Sequence, residues 1–174
     1  MKKKPVIIGL TFVVSFFIFL NLIPGLYFQS KKMKFNSVNQ MVSVQRELGQ
    51  NDFLEKFATP NLAKSYCFYD LSNGPVKFSL KSGIYYWSLS IYDDYFSNLF
   101  HISIKDDPDI EKNVLIVNTK QAALVTKKQR SYYDKIIVSK SNSGVGVVRN
   151  FIKHWNKEKK HHSLLSSKCG TLVN

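Results

Sequence analysis

Asp70 and Asp93 are the residues whose type and setting come nearest to chemistry. Each closes a run of alternating apolar residues, and two carboxylates facing one cleft are what a hydrolase uses as general acid and base. Each also stands beside a turn, where aspartate commonly accepts hydrogen bonds from backbone N–H groups, so the pair has a structural explanation too. A second candidate is a surface. Tyr86, Ser88, Ser90 and Tyr92 alternate along one run, and tyrosines set among hydroxyls suit contact with sugars or peptides, although ordinary solvent-facing sheet has the same pattern. Motifs with a more specific mechanism are missing: the sequence has no Gly-x-Ser-x-Gly elbow, no glycine-rich phosphate loop and no HExxH. The leading expectation is therefore a non-enzymatic binding protein, with hydrolysis through Asp70 and Asp93 as the alternative.

Metal ions and cofactors are not expected. Asp106-Asp107-Pro108-Asp109 with Glu111 collects the carboxylates a hard cation prefers, but Lys112 stands where an EF-hand loop needs glycine, and a solvated turn explains the run. His154 and His161 would lie about 10 Å apart on a helix, and adjacent His161 and His162 point to different faces. Cys67 and Cys169 are the only cysteines and lack CxxC spacing, which rules out a four-cysteine zinc site. As a disulfide they would close a loop of about 100 residues, worth roughly 4 to 5 kcal/mol in the chain-entropy model, and would need an oxidising compartment. Two separate buried thiols are the alternative, and no nearby His or Asn offers Cys67 a base for nucleophilic work.

The elements that must position these residues are mainly strands. From Ser65 the apolar period is two: Tyr66 and Phe68 lead through the turn Ser72-Asn73-Gly74-Pro75 into Val76, Phe78 and Leu80, which predicts two strands joined by a tight turn. The clearest strand is Tyr85 to Asp93, with Trp87, Leu89 and Ile91 on its core face. Further strands are expected at 101–104, 114–118, 135–139 and 145–152, and one short helix at 120–128. Val38, Met41, Val42, Gln45 and Leu48 recur at helical spacing, which predicts a helix stopped at Gly49. The basic tail 153–168, with Trp155, Leu164 and Leu165, suits an amphipathic helix. The fold class expected is an antiparallel β-sandwich with one N-terminal transmembrane helix and a few short helices.

The N-terminal segment explains how such a domain is placed. Pro5 to Phe28 holds no charge and is long enough, as a helix, to cross a hydrocarbon core of roughly 30 Å. Pro24 and Gly25 are expected to kink or stop it, and Tyr27 and Phe28 suit the interfacial aromatic belt. Small residues do not fall at alternate positions near its end, so an uncleaved signal anchor over 1–30 is favoured over a cleaved signal peptide. Lys31 to Ser37 then reads as a tether, and 38–174 as a single domain. Lys2, Lys3 and Lys4 oppose Lys31, Lys32 and Lys34, which leaves the direction of crossing undecided by charge. Of the net charge of +13, the first three lysines supply +3 and leave +10 beyond the apolar run. That excess reads first as a solvated basic surface; as a functional feature it would attract an anionic envelope component, and another envelope protein is the alternative partner expected. Nucleic acid is disfavoured for want of an aromatic-basic motif.

Ser65-Tyr-Cys-Phe-Tyr-Asp-Leu-Ser-Asn-Gly-Pro-Val76 followed by Tyr86-Trp-Ser-Leu-Ser-Ile-Tyr-Asp93 resembles the bacterial family of unknown function DUF1254 in its short members. The shared marks are Cys67, Asp70, Leu71, Gly74 and Pro75, then Trp87, Ser88, Ser90, Tyr92 and Asp93. Asn118-Thr-Lys-Gln121, Gly146-Val-Val-Arg149 and Cys169 look like later family steps. Asp94 departs from the pattern, because a basic residue usually follows the Tyr-Asp step, and the companion β domain of longer members is not expected from these 174 residues. The resemblance implies a sandwich-like fold, no accepted reaction, and an envelope location in a Gram-negative bacterium. Together with the cysteines it favours an inner-membrane anchor with a cytoplasmic N-terminus and a periplasmic domain.

Overall fold

The computed structural model describes residues 3–44, 62–81, 86–106, 111–151 and 167–172. The expected tail helix as far as residue 166, His154, His161, His162, Asp107 and Asp109 lie outside them. In chain order the elements are α1 (Lys3–Phe35), β1 (Val42–Val44), β2 (Leu62–Asp70), β3 (Val76–Lys81), β4 (Trp87–Asp93), β5 (Asn98–Ser103), β6 (Glu111–Asn118), α2 (Thr119–Ala122), α3 (Lys127–Tyr132), β7 (Lys135–Ser139), β8 (Ser143–Phe151) and β9 (Lys168–Thr171). The strands form two sheets, one in the order β1-β2-β8-β4-β5 and one in the order β7-β6-β3-β9.

Alternation puts one face of each strand between the sheets. Trp87, Leu89 and Ile91 of β4 meet Val76, Phe78 and Leu80 of β3 and Val114 and Ile116 of β6 in the main core, all of them buried. Burial of side chains this size stabilises by about 1.5–3 kcal/mol each. The sheets approach closely at β8, where the Phe78 ring occupies the space a Cβ on Gly146 would take. A disulfide between Cys67 on β2 and Cys169 on β9, with Cα atoms 6.4 Å apart, crosses from one sheet to the other.

Three local expectations change. The strands before and after Ser72-Asn73-Gly74-Pro75 are not a hairpin: β2 pairs with β1 and β8, and β3 with β6 and β9, so the turn is a corner between sheets. Buried Leu71 enters the core there, and Gly74, at φ 131, takes a backbone angle that side-chain-bearing residues rarely adopt. The 120–128 helix is two short helices, each opened by a capping box, Asn118 with Gln121 and Thr126 with Gln129. They carry the chain back to start β7 parallel to β6, a pairing that requires a crossover rather than a tight turn. The stretch expected to open a helix at Val38 instead turns and enters β1, whose Val42 and Val44 lie opposite Tyr66 and Lys64. Asn36 and Asn39 at φ 43 and 55 break the helical path, and the open edge of β2 offers the backbone partners that override a weak helical spacing.

Helix α1 is long and apolar enough to cross a membrane. Its side chains from Leu10 to Ile23 are exposed, and within it Ser15 and Asn21 bond back to the carbonyls of Thr11 and Phe17. Pro24 does not end it, and the expected tether is not loose chain, because the helix runs on to Phe35. The extension is held by packing. Pro24, Phe28, Lys31 and Phe35 recur at helical spacing and form the covered stripe, with Phe28 fully buried against the outer face of the five-stranded sheet. Asn36 then ends the helix in the left-handed region, its N–H donating to the carbonyls of Lys32 and Met33.

Candidate functional site

The outer face of the five-stranded sheet begins under α1 and runs out beside it. Beneath the helix it is apolar: Phe28 and Phe35 pack on Phe68, Val145, Val147, Tyr66 and Tyr92, with ring centroids of Phe28 and Phe68 5.7 Å apart. Further along β4 the same face turns polar. Ser90 Oγ accepts a hydrogen bond from Arg149 Nη1 at 3.0 Å and lies 2.9 Å from His101 Nδ1. Ser88 sits between Arg149 on β8 and Ser103 on β5, its buried hydroxyl without a hydrogen-bond partner among the described residues, and Lys64 stands opposite Arg149 on β2.

This geometry favours holding an anion over attacking a carbonyl. A hydroxyl within hydrogen-bond reach of a histidine is the arrangement of a nucleophilic serine, but Ser90 is only 2% exposed and a substrate carbon has no approach to it. Because Arg149 already donates to its oxygen, the Ser90 proton is available to Nδ1 of a neutral His101. The hydroxyl thus bridges two side chains that both carry donors, and with Lys64 beside them the row offers a planar fork and an ammonium. The acid beyond the row is already engaged: Asp106 Oδ2 accepts from the hydroxyl and the N–H of Ser103 at 2.8 and 2.9 Å, which hold its carboxyl below the usual range. Of the four residues read as a binding face, only Tyr86 is exposed. Ser88 and Ser90 are buried and Tyr92 is partly covered by the α1 contact.

Asp70 and Asp93 lie at one end of the same sheet, on β2 and β4, with β8 between them: Asp70 is opposite Ser143 and Asp93 opposite Gly144. Each carboxylate closes its own turn. Asp93 Oδ1 accepts from the N–H groups of Tyr95 and Ser97 at 2.9 and 2.8 Å. Asp70 Oδ1 accepts from Ser72 N–H at 2.9 Å, and its Oδ2 is 3.5 Å from Lys32 Nζ at the end of α1. Partial burial pushes the Asp70 carboxyl up, but the Ser72 bonds and the Lys32 charge outweigh it and leave its pKa low. Between them, burial raises the pKa of the Tyr69 phenol, whose hydroxyl donates to the Tyr92 carbonyl at 3.0 Å.

Sequence reasoning missed the residues that join these parts. Asn39 accepts from Asp70 N–H and donates to the Asp70 carbonyl and Thr171 Oγ1, so it clasps β2 to β9 of the other sheet. Its signal was slight, an asparagine able to take φ above zero. His101 and Arg149 could not be paired with Ser90 before the register β5-β4-β8 was known.

The family model for proteins of unknown function DUF1254 matches residues 38–164. The chain belongs to DUF1254. Its fold is similar to that of the VPA0106 protein of Vibrio parahaemolyticus, with a TM-score of 0.64 at 13% identity over 86% of this chain and 34% of that one. An uncharacterised protein from Burkholderia cenocepacia aligns at a TM-score of 0.46 and 10% identity over 76% of this chain and 34% of its own. The chain thus spans about a third of either structure. No curated protein matches. The DUF1254 marks read from the sequence prove to have structural jobs here. Asp70 caps the corner that Leu71 and Gly74 form, Gln121 Nε2 donates to the Leu71 carbonyl at 2.7 Å, and Trp87 fills the core. Cys67 and Cys169 join the sheets.

Proposed function

We propose that this DUF1254 chain is a single-pass protein of the bacterial inner membrane, N-terminus cytoplasmic, whose periplasmic sandwich binds an anionic envelope component without turning it over. The observation that carries it is the division of α1: exposed, mostly apolar side chains from Leu10 to Ile23, then a face seated on the sandwich. A lone helix exposing Phe16, Phe17 and Phe19 to water is untenable, and lipid is the solvent that suits it. The disulfide favours an oxidising compartment for the domain. The row Lys64-Arg149-Ser90-His101 supplies the anion-binding groups, while Asp70 and Asp93 serve as turn caps rather than as an acid and base.

Two measurements test this. Alkaline phosphatase fused after Asn174 is active if the domain is periplasmic, and the full-length chain stays with membranes through a carbonate wash. An inactive fusion overturns the orientation. Detergent-solubilised full-length protein co-sediments with anionic peptidoglycan sacculi, and Arg149→Ala weakens that binding by about tenfold, the loss of one charge-assisted hydrogen bond. Unchanged sedimentation by the variant removes the outer-face row from the reading.

A further inference from the structure

We propose that the end of the sandwich from which α1 departs rests in the headgroup layer of the bilayer, on two apolar points, the β4–β5 turn at Tyr95 and Phe96 and the α2–α3 bend at Leu124. This rests on the reading of α1 as an anchor and adds a second, independent membrane contact to it.

The helix marks which end faces lipid. Tyr27 and Phe28 both touch Phe96, with ring centroids 5.6 and 6.0 Å away, and the side chains from Leu10 to Ile23 are exposed. The apolar helix therefore leaves the domain at the β4–β5 turn. Hydrogen bonds carry the same end across to the other sheet: Ser143 Oγ donates to Asp94 Oδ2, Asn118 Nδ2 donates to Asn142 Oδ1, and Gln121 holds the Leu71 carbonyl. Leu124 follows directly from that capped helix.

Both points are built to protrude. Tyr95 is 60% exposed and Leu124 78%. Phe96 takes φ 61, a left-handed angle that a bulky residue adopts only when its surroundings impose it. The imposition is visible in the Asp93 caps on Tyr95 and Ser97 and in the Asp93–Phe96 and Asp93–Ser97 backbone bonds. Charge fits the same occupant. Exposed Lys120, Lys127 and Lys128 flank Leu124, and Lys31 lies over the Tyr27 ring at 5.5 Å. Aromatic rings at headgroup depth, with lysines beside anionic lipid, are the ordinary composition of a membrane interface. A protein partner would call for one contiguous patch, whereas these are separate points, one on the β4–β5 turn and one on the connection between β6 and β7 of the other sheet.

The test uses the full chain reconstituted in vesicles of phosphatidylcholine and phosphatidylglycerol, with Tyr95→Trp, Leu124→Trp and, at the opposite end of β8, Phe151→Trp, each compared with the parent protein. Lipid brominated near the headgroup is expected to remove most of the emission added at 95 and 124 and to leave that at 151 intact. Equal behaviour of all three, with the protein still resistant to carbonate, overturns the inference and leaves the anchor standing. Shielding at 95 and 124 from both brominated lipid and aqueous iodide identifies a protein on that end and overturns it as well. Release by carbonate overturns the anchor and this inference together.

Discussion

Both faces of the five-stranded sheet bury apolar side chains, by unlike means. The inner face is sealed by the second sheet, with Phe78 laid over Gly146 and the Cys67–Cys169 bond tying β2 to β9. The apolar part of the outer face is covered by α1, through Phe28 and Phe35 on Phe68, Val145 and Val147, while the row beside it stays open. The inner closure is made wholly within the domain. The outer one borrows a residue from the end of the apolar segment, so the helix is part of the fold as well as its carrier. Severing the chain after Phe28 takes the buried ring away from Phe68, Val145 and Val147.

The two closures break separately. The largest effect is expected from Cys67→Ser with Cys169→Ser, which removes about 4 to 5 kcal/mol of unfolded-state restraint and lowers the denaturation midpoint. The outer face should stay dry, so binding of an apolar dye at low denaturant does not rise. Phe28→Ala acts the other way: a loss of about 3 kcal/mol at the helix–sheet contact, with dye binding raised at once. Phe19→Ala, on the exposed stretch, changes neither readout.

Two pH dependences sharpen the contrast further. The pKa of the Tyr69 phenol is raised by burial, so the stability it contributes is complete below the ordinary phenol pKa of about 10 and is lost above it. One pH unit above that value the loss is about 1.4 kcal/mol, read from unfolding midpoints, and Tyr69→Phe flattens the alkaline limb. Asp70 is the smallest case. Its carboxyl is held low, so its contribution is present above an ordinary aspartate pKa of about 4 and disappears as pH falls through the folded value. Asp70→Asn shifts stability at neutral pH by less than about 1 kcal/mol, since the Lys32 pair is partly exposed. A larger drop, with dye binding, would make Lys32–Asp70 a principal latch of the outer face.

Most of the sandwich was legible because period-two alternation is a direct image of a two-faced strand, clearest at Trp87, Leu89 and Ile91. Short strands were not. β1 was misread because three residues carry too little pattern, and its identity comes from the edge of β2 that it pairs with. The sheet assignment of β2 and β3 was lost for a related reason: a corner and a hairpin share the same turn residues. Alternation also grouped Tyr86, Ser88, Ser90 and Tyr92 correctly on one face, yet could not say that neighbouring strands and α1 cover most of it. The partners that give Ser90 its chemistry come from strands distant in sequence, and only register brings them together.

The stretch from Lys31 to Phe35, expected to be a loose leash, is helix locked to the sheet. A leash lets a domain sweep a hemisphere and meet partners at many heights and angles. A shaft does not. If α1 is seated in a bilayer as proposed, the sandwich moves with the helix as one body, and its height and tilt vary only as far as the helix itself does. A ligand must come to that height and present itself to an already oriented face, which lowers the orientational entropy lost on binding and excludes anything whose matching group lies deeper or farther out.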